Sequence, residues 1–114
     1  MGDRGNIRIK EVEGGEIFLY THWCGYDIIP RLAHALYRGR DRWNDESYLT
    51  RIIFDSLKNG DEDTTGFGIS TYELDGGSPN ECTVDMNKQI VKRRHDGKEW
   101  TFDKFVEYFN HEED

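Results

Sequence analysis

Residues 16–23, EIFLYTHW, are apolar on both of their alternating faces. Ile17, Leu19, Thr21 and Trp23 point one way; Phe18, Tyr20 and His22 point the other. A strand with two apolar faces cannot leave one of them to water, so it belongs in the interior of a sheet. That requirement constrains the whole chain, because the flanking segments must supply both neighbouring strands and covering layers. Ile7 and Ile9 alternate with Arg8 and Lys10 as a half-buried strand, and Gly14-Gly15 is a tight turn between the two strands.

The cover follows at once. Ile28, Ile29, Leu32, Ala33, Leu36 and Tyr37 recur at helical spacing, with Arg31, His34 and Arg38 on the other face. Asp27 is placed to cap this helix, Pro30 suits its first turn and Gly39 ends it. A second helix, capped by Asn44 or Asp45, carries Tyr48, Leu49, Ile52, Ile53 and Leu57 and stops at Gly60. Phe67, Ile69 and Thr71 then alternate as a strand. Gly66 and Gly68 beside them signal a close approach by another backbone or a ligand. Cys82, Val84 and Met86 form one arm of a hairpin that turns at Asn87-Lys88 into residues 89–94. Thr101 caps a last helix with Phe102, Phe105, Val106 and Phe109 as its stripe, and His111 to Asp114 form a frayed tail.

The element order is therefore ββααβββα. The expected class is α+β: a mainly antiparallel sheet of about five strands, with three helices mainly on one face. At 114 residues the chain fits one domain, 1–114, with its core in about 5–109. Only 35% of residues are hydrophobic, so a few large side chains must make the core; Leu19, Leu32, Leu36, Ile52, Ile53, Phe102, Phe105 and Val106 are expected there.

Charge narrows the function. Twenty-three Asp and Glu against 15 Lys and Arg leave a formal charge of −8. That balance argues against general nucleic-acid binding and against adsorption to an anionic membrane. It favours a basic protein surface as partner. Two cysteines, Cys24 and Cys82, do not make a disulfide framework, and no apolar run approaches transmembrane length. The expectation is a cytoplasmic protein with free thiols and no cofactor. Asn6, standing where a myristoylated Gly2 would need Ser or Thr, argues against that modification.

The chemistry-bearing residues concentrate between Ile17 and Ser70. Arg38, Arg40 and Arg42 alternate across a helix end, and guanidinium groups fit carboxylate and phosphate bidentately. One reading makes Arg38, Arg42, His22 and Ser70 an anion pocket walled by Trp23, Tyr26 and Trp43. The other pairs the arginines with Asp41, Asp45 and Glu46 on the surface. His22-Trp23-Cys24 lacks a companion pair for a metal, and neither cysteine has a triad context. Gly66-Phe67-Gly68 is not a phosphate-binding loop.

The string YTHWCGYDIIP…RGRDRW…YLTRIIF…TTGFGIS, followed by VDMNKQIV and EWTFDKFVEYF, resembles a family of small uncharacterised proteins of bacterial and archaeal viruses and mobile elements. The resemblance covers residues 5–109. It implies a viral or prophage setting, hence the host cytoplasm, and brings no catalytic residue with it. Small acidic proteins of that setting often inhibit host systems. Three functions remain as expectations. The first is a non-enzymatic binding protein that holds an anionic ligand such as a nucleotide, or a host protein, as an inhibitor of a host defence system. The second is a small hydrolase or nuclease using His22 and an arginine. The third is an assembly protein that forms a homo-oligomer.

Overall fold

The computed structural model describes residues 3–110; the tail from His111 and the Met1-Gly2 start lie outside the described residues. The elements are β1 (Gly5–Lys10), β2 (Glu16–Thr21), α1 (Ile28–Arg38), α2 (Glu46–Lys58), β3 (Phe67–Ser70), β4 (Cys82–Asp85), β5 (Ile90–Arg93), β6 (Glu99–Thr101) and α3 (Phe102–Phe109). Short 3-10 turns, Gly25–Asp27 and Arg40–Arg42, precede and follow α1. The class is α+β with three helices. The sheet has six strands, ordered β3-β2-β1-β4-β5-β6, one more than the sequence suggests. The extra strand, β6, is three residues long, too short to show an alternating pattern. It pairs antiparallel with β5 across a turn in which Gly97 takes φ +73°.

β2 is interior, hydrogen-bonded to β1 on one side and β3 on the other, as its two-faced apolarity requires. The sheet is mixed, because β4 lies parallel to β1 while the other four pairings are antiparallel. The reason is topological. β3 ends level with Arg8 and β4 begins one row back, level with Ile7, and runs in the same direction with β2 and β1 between them. Residues 71–81 must run back across the sheet, and they do so on the face without helices. There the Asn6 side chain donates to the Leu74 carbonyl at 2.8 Å and accepts from its amide.

Register sorts the two faces. Ile7, Ile9, Leu19, Cys82, Val84 and Val91 share the face packed against Leu32, Leu36, Ile53, Leu57, Phe102 and Phe105, in one core. Each such side chain contributes about 1.5–3 kcal/mol by leaving water. Phe18 is buried on the opposite face, between its register partners Arg8 and Ser70. Two expected core positions, Ile52 and Val106, are half-buried, and on the α2 stripe Tyr48 is exposed, with Ser56 taking a buried place on that helix. Tyr48 instead lies under the Arg42 guanidinium, 5.0 Å from its ring centroid. Thr101 caps α3 as expected, accepting from the Lys104 amide at 3.2 Å. Asp27 does not cap α1; its carboxylate is drawn to Arg31 Nε at 2.9 Å. Neither does Asn44 or Asp45 give α2 a side-chain cap.

Candidate functional site

The side chains singled out in the sequence go to different parts of the molecule. His22, Trp23 and Tyr26 stand at the end of the sheet where β2 finishes and α1 begins. Arg42 and Trp43 stand at the other end: Trp43 packs on Phe102, Gln89 at the β4–β5 turn donates to the Trp43 carbonyl, and Glu46 accepts from Val12 in the β1–β2 hairpin. The eleven-residue α1 alone spans about 16 Å between them. Ser70, the register partner of Phe18, faces away from the helices. These residues therefore do not converge on one pocket.

Their individual partners are structural. The Tyr20 hydroxyl and His22 Nδ1 are 3.2 Å apart, and the Trp23 ring meets the imidazole edge-on. Trp43 Nε1 donates to the Leu36 carbonyl at 3.0 Å. Arg38 donates to the Ser56 hydroxyl, and Arg40 to the Tyr37 carbonyl while lying over that ring. None of these contacts is the surface pairing with Asp41, Asp45 or Glu46 expected as the alternative.

Two site residues do come together. Trp23 and Tyr26, 51% and 66% exposed, line a cleft of about 620 Å³ with Phe67, and charged side chains of both signs, Asp61, Asp63, Arg31 and Lys58, line it too. Gly66 makes this arrangement possible. Its φ is +97°, and a Cβ there would lie 1.9 Å from Trp23 Nε1. The signal at Gly66 was thus a close approach, by a side chain rather than by backbone or ligand.

β3 borders the cleft and is an edge strand. The His22 amide bonds to the Gly66 carbonyl at 2.8 Å, which makes that pair a hydrogen-bonded one. Alternation then directs Gly68 and Ser70 toward β2, and leaves the peptide groups of Phe67 and Ile69 pointing outward. Ile69 is 61% exposed, and FGIS contains no charge or proline to discourage pairing. The opposite edge differs: β6 is short and runs directly into α3.

Arg31 is the polar residue that the sequence undervalued. Its Nη1 donates to the Leu57 carbonyl at 2.6 Å and lies 3.3 Å from Cys24 Sγ, while Nε pairs with Asp27. It thereby ties the start of α1 to the end of α2 and forms the wall between the aromatic cleft and a second one of about 290 Å³, where His34, Ser56 and Phe109 also lie. The spacing of Arg31, His34 and Arg38 on one helix face was the available sequence signal.

Cys24 and Cys82 are buried free thiols. Burial pushes the Cys82 thiol up to about 12, with a neighbouring Arg93 opposing the shift, so it stays protonated and unreactive near neutrality. Among the described residues no group of three His, Cys, Asp or Glu is placed to hold a metal ion, and no helix is long and apolar enough to cross a membrane. No family model, curated protein or solved structure matches the chain.

Proposed function

We propose that the protein is a non-enzymatic binding module that takes up a basic, extended segment of a partner protein along β3 and in the adjoining aromatic cleft. The observation that carries this reading is the pairing of an uncovered edge strand with a cleft walled by Trp23, Tyr26 and Phe67 and lined also by Asp61 and Asp63. The outward peptide groups of Phe67 and Ile69 supply backbone hydrogen bonds in the manner of strand addition. The aromatic walls and the Asp61 and Asp63 carboxylates suit a Lys or Arg side chain, by cation–π contact and charge, since the cleft's own cations are already engaged, Arg31 by Asp27 and Lys58 over the Phe54 ring. A net charge of −8 steers such a partner toward the surface. In the viral setting implied by the resemblance, the partner is a host protein whose basic surface is occupied and so inhibited. His22 and Arg42 lie at opposite ends of the sheet, which leaves a hydrolytic mechanism using both without a common substrate position.

The test is an NMR titration of the ¹⁵N-labelled chain with an alternating Lys/Val peptide, and with a Glu/Val peptide as control. The expected shifts fall on the amides of residues 67–70 and on the Trp23 indole, for the basic peptide alone. Ile69→Pro removes an outward donor and leaves the β2 ladder in place, so it should abolish binding without unfolding. Binding that survives Ile69→Pro, or shifts lying elsewhere, refutes the reading. Dimerisation through β3 in the absence of peptide refutes it in favour of self-assembly.

A further inference from the structure

The sheet face that carries no helices holds a second concentration of charge, of the opposite sign. Arg8, Thr83 and Lys92 are cross-strand neighbours in one row over β1, β4 and β5. Lys10 lies two residues along β1, and Arg94 two residues beyond Lys92. Together these five side chains line a trough of about 280 Å³, with the carboxylates that pair with Arg8 and Arg94 outside the lining. We propose that this trough binds a phosphate-bearing small molecule.

Four features support the assignment. Strand spacing sets Arg8 and Lys92 about 10 Å apart on either side of Thr83, room for one tetrahedral anion above its hydroxyl. The surrounding acids leave much of the cationic capacity unused. Glu16 takes Arg8 Nη2, while Arg8 Nε is buried without a hydrogen-bond partner. Glu73 accepts from Arg94 at 2.6 Å, and the buried Glu81 is 3.7 Å away. Lys10 and Lys92 have no ion pair among the described residues. Their cross-strand neighbours are acidic, but Asp85 accepts instead from the amides of Asn87 and Lys88.

Arg8 and Arg94 are each held by a carboxylate, so the uncompensated charge on this face is that of Lys10 and Lys92, which a doubly charged anion between them matches. A phosphoryl group, with oxygens directed to several sides, matches donors on three strands better than a planar carboxylate. The trough is too small for a nucleic-acid duplex, and the overall charge repels one. The site shares no residue with the β3 edge, so either reading can fail without the other.

The experiment is an amide-resolved NMR titration at constant ionic strength with sodium pyrophosphate, inorganic phosphate, adenosine monophosphate and, as control, sodium chloride. A short DNA duplex is titrated separately. The expected result is saturable shifts at Arg8, Thr83 and Lys92 with the phosphate-bearing probes only, pyrophosphate binding most tightly. Lys10→Gln and Lys92→Gln, both at exposed positions, should each weaken binding about tenfold without changing the melting temperature. Ile69→Pro should leave it unchanged. Shifts of equal size with chloride, unaltered affinity in both lysine variants, or tighter binding of the duplex than of pyrophosphate overturns the proposal.

Discussion

Gly66→Ala should be among the more damaging single-methyl additions available in this protein, and Gly68→Ala, two residues on, should be nearly silent. At Gly66 two effects coincide. The backbone sits at φ +97°, where an L side chain is strained by about 1–3 kcal/mol. The added methyl would also lie 1.9 Å from Trp23 Nε1 and 2.7 Å from Cδ1, so the indole must leave. Trp23 keeps about half its surface buried, on the order of 100 Å², and losing that contact costs about 2–3 kcal/mol. The combined loss is about 3–6 kcal/mol if Trp23 is expelled, and about 1–3 kcal/mol if it slides aside. A methyl at Gly68 meets nothing within 4 Å. That change should fall within about 0.5 kcal/mol of wild type. Urea unfolding followed by far-UV circular dichroism measures both variants. The Trp emission maximum reports whether the indole has moved into water. Gly66→Ala lying within about 1 kcal/mol of Gly68→Ala, with unshifted emission, would show that Trp23 does not rest on Gly66 and that the cleft wall is misplaced.

Two further outcomes are open to direct measurement. Leu36 is fully buried on the α1 face toward the sheet, so Leu36→Ala should lower the unfolding free energy by ~2–5 kcal/mol in a denaturant titration; a loss below about 1 kcal/mol would mean the helix face is wrong. Cys82 keeps its proton up to about pH 12 in the native state, whereas the unfolded chain releases it near 9. The native state then binds more protons than the unfolded one between those values, so stability should fall as pH rises through that window, by up to about 1.4 kcal/mol per unit. Cys82→Ala should flatten this alkaline slope in urea unfolding series; an unchanged slope would refute the assignment.

Local pattern was enough for most of the elements. The stripe from Ile28 to Tyr37 with Gly39 after it, the Thr101 cap and the Phe102–Phe109 stripe are short-range signals, and helices form where they predict. The two-faced strand had to be interior, and β2 is. Expectations failed where a competing partner, or the lack of a facing layer or neighbouring strand, decided the outcome. Asp27 lies beside Arg31, which draws its carboxylate away from the helix end. Tyr48 has helical spacing but no facing layer, so it remains in solvent beneath Arg42. β6 is too short for alternation to register and exists because β5 offers it an edge.

Tertiary structure alone decided which functional side chains meet. Residues 16–70 looked like one polar cluster because their charges are close in sequence. A helix advances about 1.5 Å per residue, so α1 carries Arg38 and Arg42 away from His22. Strand pleating turns Ser70 to the other face from the helices. Conversely, Arg8 and Lys92 are far apart in the chain and share a trough only because residues 71–81 cross the sheet and lay β4 parallel to β1. Periodicity is written into neighbouring residues and can be read there. Which strand lies beside which depends on where a connection has room to cross, and here the helices had left one face of the sheet open.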